Sequence, residues 1–368
     1  MTTERQVTSF EVLGTFSGRG SAPARLVGPG PGGSERLYVN YFYHQSTDLV
    51  AYHPDGTTFD VWTSDEGGAW AMAVSPQGNL YLGTFHQGHV LKLDVEAGVL
   101  TDLGQAVPGD TFVWSYAVGA DGLIYGGTSI NAHLFSIDPV TDHITDLGRV
   151  DDAECYLRVL VAGPDGWIYG SVGCGRMDLI AYHPATGTLC HLLPAALRAE
   201  GFPSLFLGCD GQVYGICRET AYLLADGELL PVPGAPPPME RTTWADGTPA
   251  VEAPGYPGSS MVLHRVGDGP DGKIYATSIQ PEYLFQYDPA TGACTNLGLI
   301  PGAEAYSFLN AYGKLFIASY TGSTLQIYDP ARPFHPGTAR DPEPPDAERG
   351  CNPANYGSIA PNQQRPYD

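Results

Sequence analysis

A tight turn followed by a short apolar run with an aromatic residue recurs along the chain, and this repeat restricts the fold more than any other feature. The aromatic residues follow one another at intervals of 43, 44, 44, 45, 61 and 41 residues: Tyr38, Tyr81, Tyr125, Tyr169, Tyr214, Tyr275 and Phe316. Turn phrases such as GPDGWIY and GPDGKIY supply the Gly, Pro and Asp that tight turns require. A period of about 40 residues is typical of stacked units that cannot bury their hydrophobic faces alone.

Residues 114–148 show the repeat most clearly and read as four strands separated by turn signals. Apolar or alternating runs lie at 114–118, 123–128, 133–137 and 144–147. Four short antiparallel strands are the content of one propeller blade. The sequence therefore predicts an all-β fold, a seven-bladed β-propeller of four-stranded antiparallel blades.

The repeat boundaries predict a single propeller domain over 1–330. The blades are expected near 36–62, 70–103, 114–147, 156–192, 204–232, 261–298 and 306–329. The last copy stops after its third strand, and EVLG within 8–16 resembles the outer-strand phrase TDLG. We therefore expect the N-terminal strand to close the seventh blade and cover a sheet edge that would otherwise invite aggregation.

Two stretches depart from the period. In a propeller, the PDG and DPATG turns lie at one end of the blades, and the loops between second and third strands lie at the other end, the top face, with the connections between blades. Residues 233–260 form an insertion in such a connection, so they are a possible lid that directs Trp244 or Tyr256 at the channel. Residues 331–368 are a Pro-rich tail, expected to lie along the ring.

Charge and composition exclude several classes of partner. The net charge of −22 disfavours nucleic acid and anionic membrane surfaces, which need clustered Lys and Arg. No apolar run approaches the roughly 18 residues of a membrane span, and MTTERQVTSF lacks a signal-peptide pattern. The seven cysteines are scattered without a CxxC spacing. These features predict a cytoplasmic monomer with reduced thiols and a small-molecule ligand.

The starts of the inner strands provide the candidate catalytic residues. Counted back from each turn, the same position holds Trp70, Trp114, Arg158, Pro203 and His264, with Tyr306 close to it in the last repeat. His264 would serve as general acid or base near neutral pH, and Arg158 would stabilise a developing oxyanion.

Aromatic walls with a few polar groups suit a small organic ligand. The alternative is that the tryptophans only pack between blades. The expected substrate contacts are Trp70, Trp114, Tyr156, Tyr306, Tyr41 and Trp244.

No cofactor is expected, and the alternative is a divalent cation. Glu66, Asp110 and Glu154 lie four residues before Trp70, Trp114 and Arg158 in three consecutive repeats, where they are either cation ligands or solvated loop residues. His89 and His133 occupy one position of two adjacent repeats, so we expect them to lie too far apart to share an ion.

Two repeats resemble the repeat of the streptogramin B lyase (virginiamycin B lyase-like) group of seven-bladed propellers. They are the sixth, with HRVGDGPDGKIYATS, and the third, with GADGLIYGGTSINAHLFSIDPVTDHITDLG. The resemblance covers about 36–330 and lies mostly in blade-building residues. It implies a histidine and nearby glutamates that, aided by magnesium, open a cyclic ester by elimination. His264 matches the inner-strand histidine of the family, whereas Ser278 stands where its glutamate would be.

Two function classes follow from these residues. The first is an enzyme, a lyase or an isomerase or cyclase, that acts in the top-face channel on a hydrophobic, cyclic or polyfunctional metabolite. Elimination, isomerisation and cyclisation need positioning and one acid or base more than a nucleophile. The chain has three lysines, none placed for imine chemistry at the top face. The second class is a non-enzymatic binding or protein-interaction propeller.

Overall fold

The computed structural model describes residues 10–12, 20–43, 46–53, 59–207, 211–217, 220–232, 250–252, 260–278, 283–288, 290–291, 293–300, 305–319 and 324–332. Regular structure in these ranges is all strand apart from two 3-10 turns, at Pro31–Gly33 and Ala195–Leu197. None of the helical segments found in them has the length and hydropathy to cross a bilayer. Trp244, Tyr256 and the Pro-rich tail lie outside the described residues.

The strands are short and follow one another closely, as the repeat predicts. In chain order they are β1 (Phe10–Val12), β2 (Gly20–Pro29), β3 (Glu35–Tyr43), β4 (Ser46–Tyr52), β5 (Phe59–Ser64), β6 (Ala69–Val74), β7 (Leu80–Thr84), β8 (His89–Asp94), β9 (Val99–Gln105), β10 (Phe112–Val118), β11 (Ile124–Ser129), β12 (His133–Asp138), β13 (His143–Arg149), β14 (Tyr156–Ala162), β15 (Ile168–Gly173), β16 (Asp178–His183), β17 (Thr188–His191), β18 (Ser204–Leu207), β19 (Val213–Cys217), β20 (Thr220–Ala225), β21 (Glu228–Pro231), β22 (Ala250–Glu252), β23 (Ser260–Asp268), β24 (Ile274–Ser278), β25 (Tyr283–Asp288), β26 (Ala293–Leu299), β27 (Ala305–Ala311), β28 (Lys314–Ser319) and β29 (Thr324–Tyr328).

These strands form small antiparallel sheets in a β-propeller arrangement. Strands β2–β5, β6–β9 and β18–β21 are four-stranded meanders. Two further meanders, β10–β13 and β14–β17, are joined into one eight-stranded sheet by the single pair Ser129 and Tyr156. Strand β22, from the insertion, adds to β23–β26, and its Ala250–Glu252 pairs with Ser260–Val262. The first strands of consecutive sheets lie beside one another, β2 next to β6, β6 next to β10 and β10 next to β14.

The first and last described strands meet in one sheet. Strand β1 is antiparallel to β29, with Phe10 opposite Tyr328, Glu11 opposite Ile327 and Val12 opposite Gln326. The remaining strands of this sheet are β28 and β27. The expected pairing of the N-terminal strand with the last repeat is confirmed, and β1 covers an edge of β29.

The first repeat begins earlier in the chain than the sequence predicts. We expected it at 36, but β2 precedes that position and pairs with β3, from Gly20 opposite Phe42 to Pro29 opposite Glu35. Its sequence, GSAPARLVGP, is rich in Gly, Ala and Pro and lacks the alternation that identifies a strand. Backbone pairing with β3 and packing beside β6 therefore override a weak local signal.

Hydrophobic side chains are buried between consecutive sheets, so each pair of neighbours shares its own core. Leu49 of β4 packs with Leu82 of β7, and Val113 of β10 packs with Val90 of β8. The last sheet contributes Phe316 and Ile327 to the core that contains Leu37 and Val39 of the first sheet. The end of the propeller thus packs on its beginning.

Turn aspartates also accept hydrogen bonds from the buried tyrosines of the repeat. Asp121, Asp165 and Asp271 each accept a hydrogen bond from the tyrosine hydroxyl four residues later, at 2.6 Å from Tyr125, 2.5 Å from Tyr169 and 2.8 Å from Tyr275. The second repeat has a glutamine in place of the aspartate, and its Tyr81 donates instead to Asp142 of the next sheet at 2.6 Å. The PDG phrase is therefore both a turn and a hydrogen-bond acceptor for the core.

We predict that deletion of residues 1–16 exposes the edge of β29 and causes aggregation or loss of the cooperative melt. A milder variant, Glu11→Pro, removes one backbone donor of β1 and should lower the melting temperature, whereas Glu11→Gln should not. Thermal melts and light scattering measure both effects. A truncated protein that melts like the parent would show that β1 contributes no stability.

We also predict a loss of stability at alkaline pH. Burial raises the pKa of Tyr38 and Tyr41 to about 12, above the ordinary tyrosine value near 10. Since the unfolded chain ionises first, the stability that these tyrosines provide is complete below about pH 10 and is lost as the pH rises to about 12. Melting temperatures over this window should fall, and Tyr38→Phe should make the fall shallower. A melting temperature that stays constant across the window would contradict the prediction.

Candidate ligand site at the top face

Five inner strands skip one residue in their pairing near the top face. Ala69 lies opposite Thr84 and Ala71 opposite Gly83, so the register between β6 and β7 skips Trp70. The residues skipped in the same way are Trp114, Arg158, His264 and Tyr306. Such a bulge bends the strand and redirects a side chain, and bulges are common beside active sites. The position that the sequence singled out is thus a repeated bulge.

Aromatic rings form a continuous row across several sheets, here called the aromatic arc. Its members are Phe42, Trp70, Phe85, Phe112, Trp114, Tyr156 and Phe202. Phe112 stacks on Trp114 at 4.1 Å and on Phe85 at 5.4 Å between ring centres. Trp114 lies 5.2 Å from Trp70. The arc is built from the bulge tryptophans and from the ends of the neighbouring strands.

The arc is accessible over part of its length. Phe85 is buried, but Trp70, Phe112, Trp114 and Tyr156 are only partly buried. The indole Nε1 of Trp114 is buried without a hydrogen-bond partner. These rings therefore do two things: they pack adjacent sheets together, and they leave flat apolar surface at the top of the propeller that a ligand could cover.

Arg158 ends the arc with a positive charge. It is exposed, and its guanidinium carbon lies over the rings of Phe202 at 4.8 Å and Trp114 at 5.5 Å. These are cation–π contacts, which orient the guanidinium without neutralising it. The structure thus joins Arg158 to Trp70, Trp114 and Tyr156.

The other expected site residues have different outcomes. His264 and Tyr306 occupy the bulge by backbone register, and their side chains lie outside the description, so a convergence of His264 with Arg158 stays a prediction. Trp244 lies outside the described residues. Tyr41, expected as a substrate contact, is only 1% exposed in the core between the last and first sheets. Its hydroxyl is bound to that of Tyr52 at 2.8 Å, so we remove it from the site.

Two of the acids that precede the inner strands accept hydrogen bonds from loops of their own sheets. Asp110 accepts hydrogen bonds from the hydroxyl of Thr128 and from both the backbone and the side-chain nitrogen of Asn131. Glu154 accepts one from the backbone nitrogen of Gly175 at 2.9 Å. Both carboxylates are buried. They hold the loop between the second and third strands of their sheets, a structural role that the sequence reading did not give them.

Glu66 differs because one of its carboxylate oxygens is buried without a hydrogen-bond partner. Burial, with Asp102 and Asp65 nearby, raises its pKa, and His89 opposes this rise. The ligand atoms of Glu66, His89 and Asp102 lie within 4.8 Å of one another.

A second such group, Asp151, Asp178 and His191, already has Arg176 and Arg198 as cationic partners. Neither group unites Glu66 with Asp110 and Glu154, so a cation held by those three stays a prediction.

Three of the described histidines are partners of acids on the adjacent strand. His89 binds Asp102 at 2.9 Å, and His133 binds Asp146 at 3.0 Å. In the next sheet the acid is on the third strand, β16, and the histidine on the outer strand, β17, where Asp178 binds His191 at 2.8 Å. All three pairs are 13 residues apart. Each pair links the third strand of a sheet to its outer strand and is here called a clip. The 13-residue spacing in the sequence could have revealed these pairs.

These clips differ in burial, which predicts different contributions to stability. The side chain of Asp178 is fully buried and also binds Arg198 at 3.0 Å, whereas that of Asp146 is 41% exposed. Asp178→Asn should lower the free energy of unfolding by about 2 kcal/mol or more, because it leaves Arg198 without its counter-charge. Asp146→Asn should change it by less than about 1 kcal/mol. Denaturant titrations of the two variants test this, and equal effects would contradict it.

No family model and no curated protein matches the sequence. Solved structures do. Streptogramin B lyase aligns over 86% of this chain and 96% of its own, with a TM-score of 0.59 and 12% identity. Virginiamycin B lyase from Staphylococcus aureus, which has also been solved as a catalytically inactive variant with quinupristin, aligns over 86% and 98% with a TM-score of 0.59 and 10% identity.

In fold, this chain is similar to streptogramin B lyase. The WD40 repeats of RRP9 align over 87% of this chain and 97% of their own, with a TM-score of 0.54 and 11% identity. At such identities the likeness is one of fold alone.

Proposed function

We propose that this propeller binds a hydrophobic small molecule at its top face and acts on it as an enzyme. The observation that carries the proposal is the aromatic arc with Arg158 at its end, placed where several inner strands carry a bulge. Flat apolar surface with a few oriented polar groups is the usual composition of a small-molecule site. A rigid sheet scaffold holds such a site in place.

We further propose that the sheets close as one ring of seven blades. Each repeat supplies one four-stranded unit, and β1 completes the last. The shared core of the last and first sheets supports closure, because it contains Phe316 and Ile327 together with Leu37 and Val39. In a closed ring the inner strands surround one channel, so their bulge residues would meet at its top mouth.

His264 and Arg158 would carry the chemistry. They stand at the same bulge of β23 and β14. The imidazole of His264 would move the proton, and the guanidinium of Arg158 would stabilise an enolate or alkoxide. These two roles suffice for elimination, isomerisation or cyclisation of a bound metabolite. Because Ser278 stands where the lyase group has a glutamate, the proposal does not extend to opening the ester of a streptogramin.

The test is a search for turnover in a metabolite extract, with His264→Asn as the matched variant. We predict that the parent protein depletes one metabolite and produces a compound of the same mass, or of the mass left after elimination of a group. His264→Asn should reduce this turnover by about 10²-fold or more, the usual contribution of a positioned acid or base. Mass spectrometry before and after incubation measures both.

The same experiment separates the enzyme from a binding propeller. A metabolite that both proteins retain unchanged would support a binding function and contradict the catalytic one. If neither protein retains or converts any metabolite, the small-molecule proposal fails and the protein-interaction alternative takes its place. A thermal melt of His264→Asn controls for loss of folding.

A further inference from the structure

We infer that the ligand of the top-face site is a flat, apolar molecule that carries an anionic group, and that Arg158 recognises this anion. The inference deepens the proposed function and rests on it. The observation behind it is an arginine in contact with the aromatic arc whose charge the described protein leaves unmatched.

Arg158 differs from the other arginines whose side chains the structure describes. Each of the others binds an oxygen of the protein: Arg36 the carbonyl of Glu35, Arg149 the carbonyl of Glu154, Arg176 the carboxylate of Asp151, Arg198 that of Asp178 and Arg332 that of Asp329. Within the described part of the chain, Arg158 has its two ring contacts and no such oxygen. In a protein with a net charge of −22, acids are abundant, yet within the described residues neither a carboxylate nor a carbonyl accepts a hydrogen bond from Arg158.

The acids four residues before the bulge position in two consecutive repeats bind their own loops. Glu154, four residues ahead of it, binds the backbone of Gly175. Asp110, at the corresponding position of the preceding repeat, binds Thr128 and Asn131. Both carboxylates are buried in their loops. These two acids are therefore satisfied without the guanidinium of Arg158.

The ring contacts leave the guanidinium suited to an anion. Trp114 and Phe202 lie against the side chain and hold it in place. A guanidinium that stacks on rings keeps its N–H donors at the edge of its plane, where a carboxylate can accept two of them at once. Holding the side chain in advance also reduces the entropy lost when the anion binds.

The apolar part of the ligand follows from the arc. Phe85, Phe112 and Trp114 already stack on one another, and a further flat ring would extend this stack. Only the end of the arc beside Trp114 and Tyr156 adjoins the charge. We therefore expect the anionic group at one end of the ligand rather than at its centre.

The experiment compares three probes of one shape: 2-naphthoate, its neutral amide and the naphthylmethyl ammonium ion. Titration calorimetry with the parent protein should show naphthoate binding about tenfold or more tightly than the amide, and the ammonium ion most weakly. Arg158→Gln should reduce naphthoate affinity to that of the amide and leave the affinity of the amide within about twofold.

Arg176→Gln is the matched control, because Arg176 lies in the loop between β15 and β16 but is paired with Asp151. It should leave naphthoate binding unchanged, and thermal melts should show that both variants still fold cooperatively. Equal binding of the three probes, unaffected by Arg158→Gln, would overturn the anionic ligand while leaving the apolar site intact. Loss of naphthoate binding in Arg176→Gln as well would place the anion elsewhere and overturn the assignment to Arg158. Absence of binding by all three probes would contradict both the inference and the proposed function.

Discussion

The burial of hydrophobic faces between adjacent sheets is the interaction on which the rest of the structure depends. A four-stranded sheet has two faces, and Leu49, Leu82 and Leu91 show how neighbours cover each other. Each large apolar side chain that becomes fully buried contributes about 1.5–3 kcal/mol. Because every sheet depends on the next, the chain gains from joining its last sheet to its first, which Phe316 and Ile327 do.

This scaffold also explains where the candidate site lies. The inner strands have neighbouring inner strands on both sides, as β10 has β6 and β14, so packed sheets surround a bulge within them. At the bulge, the side chain no longer has to follow the alternation of the sheet. Trp70, Trp114 and Arg158 are the described examples, and together with the ends of the adjacent strands they form the aromatic arc. The candidate site thus lies at positions where the alternation of the sheet is interrupted.

Most of the fold could be predicted from the sequence because the same turn residues recur in nearly every repeat. Turn residues depend on local backbone angles, which a single sequence shows well. Strand β2 was missed because its Gly, Ala and Pro carry no such signal, and only its partner β3 makes it a strand. The insertion pairs through Ala250–Glu252 with the start of β23, a contact that no local pattern indicates.

The candidate site was predictable in its positions but less so in its contacts. Counting from the turns found Trp70, Trp114 and Arg158, and the same count did not show that Phe112 and Phe202 join them across sheets. Tyr41 was misassigned because alternation shows which side a residue faces, not whether another sheet covers that side. The acids before the inner strands were read as solvated or as cation ligands, since the loops that they bind come from later in the chain.

The most direct test of the central claim is a crystal structure of the protein with 2-naphthoate bound. The account predicts one naphthalene ring against Trp114 at the top face, with its carboxylate accepting two hydrogen bonds from Arg158. The bulge residues of the other inner strands should surround the same mouth. A naphthoate bound at the outer rim, or an Arg158 side chain turned away from a mouth closed by the tryptophans, would contradict it.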